Sequence, residues 1–137
     1  MVNLVLASFL EITLPSAIVP FLGFLLGVYR ALLWGLIFSP AHPDMRMVII
    51  PHSITLILEG QAYVLVLLAA YVQGRTFLWP KAAGVEVEGL SFAQRHWRGY
   101  VEGLKRTGKL YILITLTLLV AAIYEVLEVV IMVKFFS

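Results

Sequence analysis

Cysteine is absent from this 137-residue chain, and charge is scarce: Asp, Glu, Lys and Arg together make up 13% of it. The first absence excludes disulfides, thiolate nucleophiles, Cys-ligated zinc and iron–sulfur clusters, and leaves the redox compartment open. The second is more telling, because a soluble domain carries about 25% charged residues. Hydrophobic residues fill 61% of the chain and the mean hydropathy is +0.96. Too little polar surface is left to cover a globule of this size in water. An integral membrane protein fits; a secreted disulfide scaffold, a cytosolic enzyme and a nucleic-acid-binding domain do not. The net charge of +2 is too small and too scattered for a nucleic-acid partner. No Lys or Arg precedes Arg30, so the apolar start lacks the basic region of a cleavable signal and reads as structure. Walker, HExxH, GxSxG and dinucleotide-binding patterns are also missing. The chain reads as non-enzymatic, with no cofactor and no metal site.

What is present is long apolar runs. Crossing about 30 Å of hydrocarbon takes roughly 20 mostly apolar residues in a helix. Residues 51–73 hold one formal charge, Glu59, and 110–134 hold Glu125 and Glu128 before Lys134. Both read as full spans. The first 38 residues are broken by Pro15 and Pro20. They read as an apolar half-helix over 1–14, a turn across 15–20 and a span over 20–38. The expected fold class is an all-α integral membrane protein, a single-domain bundle of three full transmembrane spans plus an N-terminal half-helix, with four spans as the alternative.

Seven of the ten basic residues, Arg75, Lys81, Arg95, Arg98, Lys105, Arg106 and Lys109, fall in the 75–109 loop. Arg46 is the one basic residue between positions 39 and 50. The positive-inside rule places the long loop in the cytoplasm of a multi-pass cell-membrane protein. Within that loop, 80–90 reads as irregular linker with alternating Val and Glu, and Ser91 as a helix N-cap. Beyond it Ala93, Trp97, Tyr100, Val101 and Leu104 make one apolar stripe, with Arg98, Lys105 and Arg106 off it. That pattern suits either a helix lying at the membrane interface or an extension of the last span. Trp97, Arg98, Lys105 and Arg106 are the candidate interfacial residues.

Ionisable groups inside spans are costly and generally face a partner. Arg30, Glu59, Glu125 and Glu128 fall at a shared level, about 9–14 Å below the outer end at 1.5 Å per residue. One guanidinium cannot neutralise three carboxylates at close range. Three readings follow: a structural ion pair with the remaining acids hydrogen-bonded, a site that handles protons or cations, or a contact to a partner subunit. Gly23, Gly27, Ala31 and Gly35 recur every four residues, a small-residue stripe that lets helices approach closely. It serves packing within the protomer or against a second copy or another membrane protein.

Pro51-His52 opening a span, Leu58-Glu59-Gly60-Gln61-Ala62-Tyr63 within it, and Ala121-Ala122-Ile123-Tyr124-Glu125 in the last span resemble the stage II sporulation protein M family. Asn3 ahead of a Gly-punctuated apolar span is similar to that family's Asn-bearing stretch. The resemblance implies a non-enzymatic membrane scaffold or accessory subunit whose partners are the bilayer and other membrane proteins. A proton- or cation-linked transport component is the competing reading.

Orientation is testable by placing single cysteines at Ala83 and Ala41 in this cysteine-free chain. An impermeant thiol reagent on intact cells should label position 41 and spare position 83; the opposite pattern overturns the orientation.

Overall fold

The computed structural model describes residues 3–37, 39 and 43–136, all of it helix, turn or irregular loop. Residues 1, 2 and 38, at the edges of two expected segments, lie outside the described residues. The chain starts with a π-helix, Asn3–Thr13, that runs directly into α1, Leu14–Ile18. After a tight turn come α2, Leu22–Ile37, then α3, Pro43–Leu78, and α4, Phe92–Phe136. Two of these helices, α3 and α4, are long and apolar enough to cross a membrane. At 16 residues, α2 is about 24 Å long and falls short of a straight crossing.

Several expected boundaries move. Pro15 does not break the first segment, because it sits in the first turn of α1, where a missing N–H costs least. The turn therefore shrinks from 15–20 to 19–21. There Phe21 takes a left-handed backbone, φ 65°, rare for a bulky residue. Its ring is held against Tyr71 and Trp79 at centroid distances of 5.9 and 6.3 Å and lies over Gly74. Pro51 is not a helix start either: α3 begins at Pro43 and passes through it. The long loop contracts to 79–91, since α3 continues to Leu78 and α4 starts at Phe92. The amphipathic segment and the last span form one continuous 45-residue helix, the extension rather than a separate interfacial helix.

Ser91 does cap α4, and reciprocally. Its N–H donates to Gln94 Oε1 at 3.0 Å, and the Gln94 N–H to Ser91 Oγ at 3.5 Å, a capping-box exchange that satisfies two orphan donors. In the loop Val85 and Val87 are buried while Glu86 and Glu88 are exposed. Arg106 and Arg95 tie this loop down by donating to the carbonyls of Ala83 (2.9 Å) and Leu90 (2.8 Å).

The core is the antiparallel pairing of α3 with α4. Thr55, Ala62, Ala69 and Thr76 are buried at seven-residue intervals on α3, and Thr107, Ile114, Ala121 and Glu128 at the same interval on α4. A seven-residue repeat keeps one narrow seam facing the partner helix along its length. The register is fixed by contacts that step away from the loop. Thr76 meets Gly99 and Gly103, Thr107 donates to the Ala69 carbonyl at 3.3 Å, and Thr55 donates to Glu128. The first segment and α2 form a second hairpin about the 19–21 turn. Ser16 packs on Gly23, Ile12 on Gly27, and Glu11 on Arg30. This hairpin docks on the first through Ile12, Val66, Ala69, Ala70 and Ile114.

Glycines that weaken a helix by propensity are the closest points of this seam. A Cβ on Gly99 would overlap the Thr76 carbonyl, and one on Gly103 the Thr76 hydroxyl, whereas Gly108 faces open space. Gly103→Ala should therefore cost about 1–3 kcal/mol through overpacking, and Gly108→Ala should gain up to about 1 kcal/mol through propensity. Thermal unfolding of detergent-purified variants checks the contrast; equal effects at both positions would refute this register.

Candidate functional site

The charged residues of the apolar bundle separate into two clusters rather than one. In the first, Arg30 on α2 forms an ion pair with Glu11 on the π-helix. The hairpin dictates this pairing, because the two residues stand opposite each other across the turn. The guanidinium carbon also lies 5.8 Å from the Trp34 ring and 5.7 Å from the Tyr63 ring, within cation–π range. Its Nε is buried without a hydrogen-bond partner. Glu59 and Tyr63 on α3 share with Arg30 a cleft of about 270 Å³ whose other walls include Gly27, Ala31 and Gly60. The level match between Arg30 and Glu59 thus appears as a shared cleft, and Arg30 pairs with Glu11 at its edge. Glu11 lay outside the expected cluster because depth was counted along full spans and Glu11 is in the half-helix.

The second cluster centres on Glu128, which is buried in the α3–α4 seam. Oε1 lies 2.7 Å from His52 Nδ1, and Oε2 accepts from the Thr55 hydroxyl at 3.0 Å. His52 and Thr55 are one turn apart on α3, so they present to one carboxylate together. Neither was a sequence candidate, since His52 reads as a polar helix end when Pro51 is taken as the start. Glu125, one turn before Glu128, is exposed, so the expectation that all four ionisable groups meet is corrected. The seam descends through Ala121 to Glu128 and leaves Glu125 outside.

A third polar site carries no formal charge. The Tyr111 and Thr13 hydroxyls each lie 2.9 Å from the Ser8 carbonyl oxygen and within hydrogen-bond distance of each other, so their two protons are shared among three contacts. Ser8 and Thr13 are five residues apart, one π turn, so the wide winding offers that carbonyl to both hydroxyls. Gln73, 1% exposed, has neither amide atom hydrogen-bonded, and borders a cavity of about 120 Å³ beside Ser16 and Tyr100. Among the described residues, no three His, Asp or Glu side chains are grouped to hold a metal ion.

The small-residue stripe divides as well. Gly23 and Gly27 are buried, with Cβ positions that would overlap the Ile12 carbonyl and the Leu67 side chain. Ala31 and Gly35 are exposed, and nothing approaches Gly35 or Gly60 within 4 Å. Of the candidate interfacial residues, Trp97, Arg98 and Lys105 are exposed, while Arg106 is held by Glu102 at 3.2 Å and by the Ala83 carbonyl. No family model matches the chain, and no curated protein or solved structure matches it either.

If Arg30 and Glu11 are coupled as described, a double-mutant cycle with Arg30→Gln and Glu11→Gln should return an interaction above about 0.5 kcal/mol. The same cycle with Glu125→Gln should return nothing measurable. Coupling to Glu125 with none to Glu11, read from thermal unfolding in detergent, would reverse the assignment.

Proposed function

We propose that the chain is a non-enzymatic integral membrane protein, a scaffold or accessory subunit that binds another membrane helix. Its exposed faces support membrane residence: Leu25, Leu32, Leu36, Ile112, Val126 and Ile131 all stand more than half exposed. A water-soluble monomer seldom carries so continuous an apolar surface. The basic residues between 75 and 109 favour a cytoplasmic loop end. On this reading three full spans and the N-terminal half-helix share the bilayer, with four spans as the alternative, and α3 and α4 supply two of the crossings.

The observation that carries the binding role is the α2–α3 cleft. Ala31 on one side and Gly60 on the other line it, and Gly35, one turn beyond Ala31, is likewise exposed; such open backbone is the condition under which membrane helices associate by packing alone. The Arg30–Glu11 pair, with Glu59 beside it, supplies polar groups that an incoming helix can engage. The similarity to the sporulation protein M family points the same way. Transport is the weaker reading, because Ile12, Val66, Ala69, Ala70 and Ile114 are each no more than 1% exposed and plug the bundle with apolar side chains.

Leucine at two positions tests the reading. Gly35→Leu or Gly60→Leu should release the protomer from a larger species on native gels of membrane extracts and leave its thermal unfolding unchanged. Gly27→Leu should instead destabilise the protomer by overlap with Leu67. Unaltered migration of both the Gly35 and Gly60 variants argues against the cleft as a binding face. Proton or cation flux through liposomes containing the purified chain, abolished by Glu59→Gln, would replace the scaffold reading with transport.

A further inference from the structure

The basic residues near the loop end are not equivalent. Arg95 and Arg106 spend guanidinium donors on loop carbonyls, and Arg75 reaches Ala82 O at 3.5 Å. Arg98 and Lys105 are exposed and form no hydrogen bond or ion pair among the described residues. They line one shallow cleft on α4 with Ala93, Gln94, Trp97 and Val101. No carboxylate borders that cleft. Arg98 and Lys105 also edge neighbouring clefts that contain Glu86, Glu88 and Glu102, and they pair with none of the three. Trp97 is 68% exposed and stacks on Tyr100 at a centroid distance of 5.9 Å.

Two unspent cations, an indole and two small apolar side chains on one face form a surface with a specific complement. The cations call for an anion, and the indole and Val101 call for something apolar attached to it. Lys105 precedes the 110–134 span by five residues, about 8 Å, the depth of the headgroup layer, about 5–8 Å a side, and Arg98 stands two turns farther out. Exposed Trp79, Phe92 and Ile18 stand at the same end of the bundle, as aromatic and apolar side chains do at a membrane interface. We propose that the α4 face formed by Trp97, Arg98, Val101 and Lys105 binds the headgroup of an anionic phospholipid, with its phosphate on Arg98 and Lys105 and the carbon atoms of the headgroup itself on Trp97 and Val101. The site rests on the membrane reading given above and adds to it a lipid class and a pair of residues.

Native mass spectrometry of the full chain, released from micelles containing equal phosphatidylglycerol and phosphatidylcholine, tests this. Phosphatidylglycerol adducts should outlast phosphatidylcholine adducts. The Arg98→Gln/Lys105→Gln double variant should cut phosphatidylglycerol retention roughly 5- to 30-fold, the effect of removing two basic residues from an anionic surface. Phosphatidylcholine retention and helical circular dichroism should not change, and Arg98→Lys/Lys105→Arg should keep the preference. Equal retention of the two lipids by the wild-type chain overturns the proposal without any variant. So does unchanged phosphatidylglycerol retention in the double variant, and so does displacement of the lipid by glycerol phosphate, which would mark a site for free anions. Recovery of the chain in the supernatant of washed, detergent-free membranes is a separate result that defeats the membrane reading itself.

Discussion

The fold depends on how closely α3 and α4 can approach. Their seam is built from Thr, Ala and Gly, and at Gly99 and Gly103 the absence of a side chain brings one backbone against Thr76 of the other. In an apolar solvent no hydrophobic force drives helices together, so association rests on the number of atoms that touch. Small residues at seven-residue intervals along α3, Thr55, Ala62, Ala69 and Thr76, raise that number by letting α4 lie close along that stretch. The second hairpin could not compensate for its loss, since its own core residue, Ile12, is buried against Val66, Ala69 and Ile114 of the first.

Polar groups inside this bundle fix register rather than supply cohesion. Glu128 uses both carboxylate oxygens, on His52 and Thr55, so a slip of α4 by one turn along α3 would strand a buried carboxylate at a cost of several kcal/mol. Tyr111 does the same between α4 and the π-helix, and Arg30 between α2 and the π-helix. Each pairing joins two different elements. An apolar seam alone tolerates neighbouring registers; three directional contacts at different heights do not.

Helical class and apolar character were legible from composition, and the Ser91 cap from its own residue type. Burial of the alternating valines was not foreseen, but their period of two marks one inward face. Less legible was anything that depended on which residues face each other. Glu11 lies in the half-helix, outside the level that the full spans share, and only the hairpin about Phe21 brings it to Arg30. Pro51 reads as a boundary by local rule, yet the helix begins at Pro43, which turns His52 from a helix end into an interior ligand for Glu128. Gly99 and Gly103 carry opposite meanings at two levels: poor helix formers by propensity, and the points of closest contact by packing. Tertiary contact overrides propensity here because the helix is long and each glycine costs only about 1 kcal/mol.

The distribution of spent and unspent groups connects this architecture to a binding role. In a medium without water, a polar or small-residue surface either finds a partner within its own chain or remains available to another molecule. Gly23 and Gly27 are consumed by Ile12 and Leu67, Glu128 by α3, and Arg95 and Arg106 by the loop. Ala31 and Gly60 along the cleft, Gly35 one turn beyond it, and Arg98 and Lys105 beside Trp97, are not consumed. Because those residues lie outside the seam and outside the docked hairpin, occupying them requires no rearrangement of either. On the proposed reading the protomer therefore folds first and binds afterwards, one face taking a helix and the other a lipid headgroup, each independently of the other.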